Sequence, residues 1–501
     1  MSNKKSTSAS AGVEQGVSIK SLIGPLMAVV LGMFMVILDT TAVNVALPGL
    51  VEYFNTDVST MQWAITGYTL ALSAVIPLAG WMTDRFGAKR IFLITIAFFT
   101  LGSALCSMAA SPEQLVIFRV IQGLGGGMVA PIGFATIFRL APEGNRGAVM
   151  GMLGVPMLLA PAIGPILSGW LVEYATWQWI FLINLPIGII AILVGIRYLP
   201  NTERKAVPKL DFLGIILAPV AFAMLAFGVG EGSHDWSSMQ TITGLSIGGV
   251  ALLLFIIVEL RQKEPLLELR VFRSSDFTRG ILIAWLSQIA LFGVMVLIPL
   301  FYQTVQGFGP LKTGLVMLPQ ALATAIMMPI GGRLYDKVGA RPLAVTGLGL
   351  ITIALVMLSQ ITPDTGLVYI MTCLGMVGAG MGLSMMSVNT HVLQSAPKKL
   401  VSRVTPLTTA AQQVMVSFAV AGLTGYLTSQ VRDHMKESGG TDPIGSAVAA
   451  YGDTFLLAAG IACAGALLGL ILRKPKPQLD DQDSGEGSES DNANANAMMG
   501  H

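Results

Sequence analysis

Two ionisable residues stand inside long apolar runs: Asp39 in the run 22–47 and Arg119 in the run 114–138. A charged side chain at the centre of a bilayer costs about 2.5–3.5 kcal/mol on insertion scales, so a residue kept there is a functional candidate by default. A lone carboxylate in such a place is suited to taking up and releasing a proton. Asp39 lies about seventeen residues from the start of its run and Arg119 about five from the start of its own. If the two runs cross a membrane in opposite directions, roughly 1.5 Å of rise per residue puts both charges within roughly 10 Å in depth. Apolar surroundings favour the protonated acid and a neighbouring guanidinium favours the carboxylate, so Arg119 can set when Asp39 holds a proton. The plainer alternatives are a structural, hydrogen-bonded acid at Asp39 and an Arg119 that snorkels to the headgroups.

The elements that must position these charges are membrane spans. The chain has 501 residues, 53% hydrophobic and 12% charged, whereas soluble domains carry about 25% charged residues. A helical span needs about 20 mostly apolar residues. Fourteen runs qualify: 22–47, 61–82, 91–110, 114–138, 147–171, 178–198, 211–230, 241–260, 280–302, 313–332, 343–361, 366–392, 404–428 and 453–472. Lys and Arg concentrate in cytoplasmic loops, and placing both tails in the cytoplasm puts 26 of the 30 basic residues on that side. Only Lys312, Arg432 and Lys436 fall outside, with Arg119 inside a span. The expectation is an all-α integral membrane protein with 14 transmembrane helices. The first run is too long for a cleavable signal peptide. The longest loop between spans is 429–451, and the tail 475–501 is acidic, rich in Ser, Asn and Gly, and expected to be disordered.

A repeat refines this plan. Residues 80–89 (GWMTDRFGAK) recur as 332–341 (GRLYDKVGAR), each with a proline seven residues before its aspartate, Pro77 and Pro329. Both copies fall in a loop on the cytoplasmic side, so spans 1–2 correspond to spans 9–10. Two six-helix halves result, with spans 7 and 8 between them (6+2+6). Parallel repeats of this kind are a transporter plan with the site at the interface of the halves near the midplane. The predicted parts are a tail at 1–20, a first half at 21–200, an insertion at 201–275, a second half at 276–474 and a tail at 475–501. In the repeated loops, Gly80 and Gly332 permit close backbone approach, and Gly87 and Gly339 permit a turn with φ > 0. Asp84 and Asp336 can face helix N-termini or guanidinium groups across the junction and so favour one arrangement of the halves. In span 5, Pro156, Pro161 and Pro165 predict a bend, while Gly151, Gly154, Ala160, Gly164 and Ser168 offer small surfaces for helix contact.

Other chemistries find no support. Cys106, Cys373 and Cys463 are scattered through apolar runs and make neither a disulfide framework nor a metal site. The four histidines have no metal-ligand neighbours, and His391 reads as a polar helix-end residue. The stretch 307–313 lacks the glycine that a phosphate loop needs before its lysine. A net charge of +2 does not suggest nucleic acid. No cofactor is expected, and an ion gradient would have to drive any transport.

Residues 80–90 resemble the signature loop between spans 2 and 3 of the major facilitator superfamily. Residues 119–125 (RVIQGLG) resemble its span-4 motif and residues 160–169 (APAIGPILSG) the span-5 motif of its antiporters, with Ser168 where glycine is usual. Residues 38–48 (LDTTAVNVALP) and 177–188 (WQWIFLINLPIG) are similar to the fourteen-span drug:proton antiporters of the EmrB/QacA type. The resemblance covers about 22–472. It implies the major facilitator fold and no enzymatic activity. It also implies proton coupling through Asp39 and Arg119, an antiporter helix marked by Pro161, Gly164, Pro165 and Gly169, and switch loops carrying Gly80, Asp84, Arg85, Gly87, Arg90, Asp336, Lys337, Gly339 and Arg341. Asn44 and Gln122, within the matching motifs, become cavity candidates. Methionines, aromatics and sparse polar groups of the second half suit varied apolar ligands and add Phe292, Met295, Tyr302, Gln303, Met317, Gln320, Met385, Asn389, Gln412 and Gln413. No second membrane acid is present in that half, which argues against dication export.

The expected function is thus a proton-coupled multidrug efflux antiporter of a bacterial plasma membrane, with both termini cytoplasmic. It would work by alternating access on small hydrophobic, often cationic, compounds. Its partners would be substrates, protons and the lipid bilayer, and an accessory efflux protein is left open. The alternatives are a dedicated exporter of one metabolite, antibiotic or lipid, and a membrane sensor that does not transport.

Overall fold

The computed structural model describes residues 19–201, 212–232, 236–262, 265–362, 365–397, 400–439 and 441–473. The expected disordered tail at 475–501 and most of the tail at 1–20 lie outside them. Among the described residues every regular element is a helix, and thirteen helical stretches are long and apolar enough to cross a membrane. The first half contains α1 (Ile19–Tyr53), α2 (Val58–Val75), α3 (Ala79–Phe86), α4 (Ala88–Ser107), α5 (Pro112–Gly126) and α6 (Val129–Leu140). It continues through α7 (Arg146–Tyr174), α8 (Trp179–Leu182) and α9 (Asn184–Tyr198). Helices α10 (Phe212–Gly232) and α11 (Met239–Arg261) fall within the expected insertion. The second half contains α12 (Ser275–Thr304), α13 (Pro310–Val338), α14 (Ala340–Leu358), α15 (Leu367–Gln394), α16 (Val401–Glu437) and α17 (Pro443–Gly469). The expected fifth span falls on α7, an uninterrupted 29-residue helix. Several of its side chains are outside the described residues, and it is not among the thirteen.

Three expected single spans are broken, each for a local reason. Span 2 divides into α2 and α3 around a 3-10 turn, Ile76–Leu78, where Pro77 removes a backbone donor. Span 4 divides into α5 and α6 at Gly127–Met128, at the end of a glycine run that lets backbones come together. Gly125 faces the Phe99 amide of α4 and Gly127 faces the Leu72 carbonyl of α2. Span 6 divides into α8 and α9 beside Asn184. The expected loop 429–451 is largely helical, because α16 runs on to Glu437 and α17 begins at Pro443. Helix starts follow capping chemistry: Asp57, Ser111, Ser238, Ser274 and Asp442 each accept a first-turn backbone N–H.

Exposed apolar side chains such as Ile189, Ile190, Leu193 and Ile196 on α9, and Val250, Leu253, Leu254 and Ile257 on α11, form a lipid-facing belt. Inside, the helices close on small residues. Gly228 of α10 meets Gly244 of α11, Gly347 of α14 meets Gly380 of α15, and Gly151 of α7 meets the Met328 carbonyl of α13. Helix α10 packs against both α2 and α16, one from each half, with Phe227 stacked on Trp63 at 6.2 Å.

Candidate functional site

Asp39, expected within reach of Arg119, touches it. The carboxylate is 1% exposed, and its Oδ2 accepts from Arg119 Nη1 at 2.5 Å. Its Oδ1 accepts from Gln122 Nε2 at 2.9 Å and from Asn184 Nδ2 at 2.8 Å. Gln122 lies three residues after Arg119 on α5, hence on the same face, and its Oε1 accepts from Arg119 Nη1 at 2.7 Å. Arg119 Nε donates to the Ala64 carbonyl of α2 at 3.2 Å, and the guanidinium lies 3.9 Å over the Tyr68 ring. Asn184, the first residue of α9, also donates to Ser103 Oγ of α4 at 3.0 Å. Two helices, α5 and α9, thus donate to the carboxylate, and α2 and α4 hold their donors in place. The snorkelling alternative for Arg119 is overturned: its side chain is 1% exposed and points inward to an acid, where charge-assisted hydrogen bonds compensate its burial.

The repeated loops form a matched pair of contacts between the halves. Asp336, at the end of α13, accepts from the backbone N–H groups of Gly147 and Ala148 at 2.8 and 2.9 Å. These are orphan donors in the first turn of α7, so an acid of the second half caps a helix of the first. Asp84, at the end of α3, accepts from Ser402 Oγ at 3.2 Å and stands 3.7 Å from Arg403 Nε, both at the start of α16. The glycines keep the same register. A side chain on Gly80 would collide with the Ser402 carbonyl, and one on Gly332 with the Gly147 carbonyl. Gly87 and Gly339 hold φ of 91° and 83° and turn the chain into α4 and α14, as the spacing predicts. The basic residues of the motif do not reach these acids. Arg85 lies 5.3 Å over the Trp81 ring, and Arg90, Lys337 and Arg341 are exposed. Asp84 is instead approached by Arg403 of the opposite half, and Arg139 of α6 lies close enough to feel its charge.

Helix α7 links the two constellations. Gly164 lies against Thr41 of α1, two residues from Asp39, while the first turn of α7 receives Asp336. Ser168, at the position where the resemblance leads one to expect glycine, is fully buried and donates to the Gly164 carbonyl at 2.6 Å. The side chains of Asn44, Pro161 and Pro165, and Gly169, lie outside the described residues.

In the second half, a small cavity between α12, α15 and α16 is lined by Ser287, Gln288, Met385, Asn389 and Gln412, with Ala284 and Val388. Gln412 Nε2 donates to Asn389 Oδ1 at 2.9 Å. Phe292 and Met295 follow Gln288 at helical spacing on α12 and are half-buried. The remaining candidates lie elsewhere. Tyr302 is buried and stacked on Phe308 at 4.9 Å, Gln303 is exposed, and Gln320 is buried in the seam of α13 with α15 near Met381. Gln413 and Met317 are half-buried and do not line the cavity. Sequence reasoning gave no role to Asn184, Ser103, Tyr68 or Gln288. The available signal was each residue's polarity inside an apolar run, but a helical run alone does not tell which face turns inward. Among the described residues no cluster of His, Cys, Asp or Glu could hold a metal.

Comparison with known proteins places these features in a family. The profile of the Major Facilitator Superfamily matches residues 29–420. The chain is 37% identical over 413 residues to an uncharacterised MFS-type transporter, YhcA, of Bacillus subtilis, covering 82% of this chain and 78% of the relative. It is 33% identical over 455 residues to the lincomycin resistance protein LmrB of Listeria innocua (90% and 96% covered). It is 34% identical over 406 residues to a multidrug resistance protein B homolog of Mycobacterium tuberculosis (80% and 75%). Among solved structures, the human organic anion transporter TETRAN superposes with a TM-score of 0.64 at 16% identity, covering 89% of this chain and 99% of that one.

Proposed function

Because the chain belongs to the major facilitator superfamily, we propose that it is a proton-coupled antiporter exporting small hydrophobic compounds across a bacterial plasma membrane by alternating access. Its relatives named for drug resistance support efflux as the direction of transport. The observation that carries proton coupling is the Asp39 carboxylate, buried in a membrane helix and held by Arg119, Gln122 and Asn184.

Both termini and the two aspartate latches are assigned to the cytoplasmic side, where the sequence concentrates its basic residues. The described conformation is then closed to the cytoplasm. A proton arriving from outside converts the Asp39 carboxylate to an acid, which no longer balances the charge of Arg119. Removing one partner of a buried ion pair costs about 3–5 kcal/mol. A shift from 1:99 to 99:1 between two states needs about 5.5 kcal/mol. Protonation of this one group is therefore of the right size to bias the halves towards the inward-facing state, provided Arg119 is better solvated there. Release of the proton to the cytoplasm restores the pair and favours the outward-facing state with substrate aboard. The gradient supplies the drive, with no bound cofactor. Each charge crossing the membrane contributes about 2.3 kcal/mol per 100 mV.

Dye efflux from energised vesicles, with and without a protonophore, tests this reading. Efflux should collapse when the proton gradient is dissipated, and efflux that continues unchanged would overturn proton coupling.

A further inference from the structure

We infer that the second-half cavity recognises uncharged, amphiphilic substrates through carboxamide hydrogen bonds, and that Gln288, Asn389 and Gln412 set this preference over cations. The inference rests on the exporter reading above and narrows its substrate class.

The cavity presents three carboxamides from three helices, Gln288 of α12, Asn389 of α15 and Gln412 of α16. Gln288 is 7% exposed, and its buried Oε1 has no hydrogen-bond partner. A buried acceptor left empty costs about 1–3 kcal/mol, so a ligand O–H or N–H placed there recovers that energy. The bond from Gln412 to Asn389 uses one donor and one acceptor of the pair. It leaves the Gln412 carbonyl and an Asn389 N–H for a ligand. Ser287 is already committed to the Ile283 carbonyl at 2.7 Å. The cavity has room for little more than a water molecule, so it receives the hydroxyl or amide head of a ligand rather than the whole molecule, and it offers both donors and acceptors and no formal charge. Ala284 of α12 with Met385 and Val388 of α15 supply its apolar lining, and Phe292 and Met295 continue the Gln288 side of α12 beyond it.

A cation finds no counter-charge there. The charged residues of α12 and α16 nearest in sequence, Asp276, Arg279 and Arg403, stand at helix starts. His391 packs against Gly280 of α12, one turn before the lining Ala284, and an imidazole offers no negative charge to a cation. The one acid deep in the first half, Asp39, has its oxygens engaged by three protein donors. An unpaired buried charge is far more costly than a hydrogen-bonded neutral group. The same amides would accept a hydroxyl- or amide-bearing molecule with every polar group satisfied.

Equilibrium dialysis of the full chain in lipid nanodiscs, with no ion gradient, provides the test. The probes are chloramphenicol, a neutral aromatic amide with two hydroxyls, and tetraphenylphosphonium, a permanent cation. Chloramphenicol should bind at least tenfold more tightly. Gln288→Leu and Gln412→Leu should each weaken it about tenfold. The near-isosteric Gln288→Glu, which keeps the reading available if a leucine variant fails to fold, should raise tetraphenylphosphonium binding at least tenfold. Equal or tighter binding of the cation to the native protein, no chloramphenicol binding, or chloramphenicol binding unchanged in the folded leucine variants would overturn the inference. Because no gradient is applied, a failure of proton coupling leaves this result standing. A preference for the cation would leave proton-driven export intact.

Discussion

Asp336 of the second half caps the first turn of α7 in the first half, its Oδ1 accepting from Gly147 N–H at 2.8 Å. The carboxylate also meets the positive end of the α7 dipole, so this contact holds the two halves together at one face. Replacing a capping acceptor of this kind with alanine costs about 0.5–2 kcal/mol. Asp336→Ala should therefore raise the open fraction of that face several-fold. The readout is maleimide labelling of Ala148→Cys from that side in a variant lacking Cys463, the exposed native cysteine. A labelling rate that does not change would remove Asp336 from the latch.

The seam beneath that cap leaves no room for a side chain. A Cβ on Gly332 would collide with the Gly147 carbonyl, whereas one on Gly349 of α14 meets nothing within 4 Å. Gly332→Val should part α13 from α7 and abolish efflux while helix content by circular dichroism is kept. Gly349→Ala should transport normally. Equal activity in the two variants would contradict the close approach.

Asp39 and Arg119 should show strong coupling in stability. Arg119→Met leaves a buried carboxylate without its counter-ion, a loss of about 3–5 kcal/mol unless the acid takes up a proton. The double variant Asp39→Leu/Arg119→Met removes both charges and should melt higher than Arg119→Met alone, yet remain inactive. Additive destabilisation in the thermal melts would show that the pair is not energetically coupled.

Asn184 tests the part of the cluster that carries no charge. Asn184→Leu removes one donor to Asp39 and the link to Ser103. A net loss of about 1.5–3 kcal/mol is expected for a hydrogen bond to a charged group. Efflux should fall at least tenfold, with partial rescue by Asn184→Gln, which restores an amide N–H at longer reach. Wild-type rates in the leucine variant would assign Asn184 to packing alone.

The membrane spans, the repeat and the Asp39–Arg119 pairing were legible in the sequence because hydropathy, charge sorting and depth are one-dimensional quantities. The repeated GxxxDxxG spacing even placed the aspartates at helix junctions between the halves. What the chain order could not convey was rotation about each helix. Gln303 and Tyr302 are adjacent, but one is exposed and the other buried. Asn184, which reaches the acid, stands where α8 gives way to α9. The same limit hid Gln288, whose unpaired oxygen is visible only once α12, α15 and α16 are packed. The breaks at Pro77 and after Gly126 were also missed, since apolar composition runs through both without interruption.

Proton release on substrate binding reports whether Asp39 trades a proton for substrate. The purified chain would be held in weakly buffered solution, near the pH at which its substrate-free form takes up protons, and titrated with a transported compound. The pH change would be followed with an indicator dye. The native protein should release protons on binding, and Asp39→Asn should bind the compound and release none. Equal proton release from the two proteins would contradict the account.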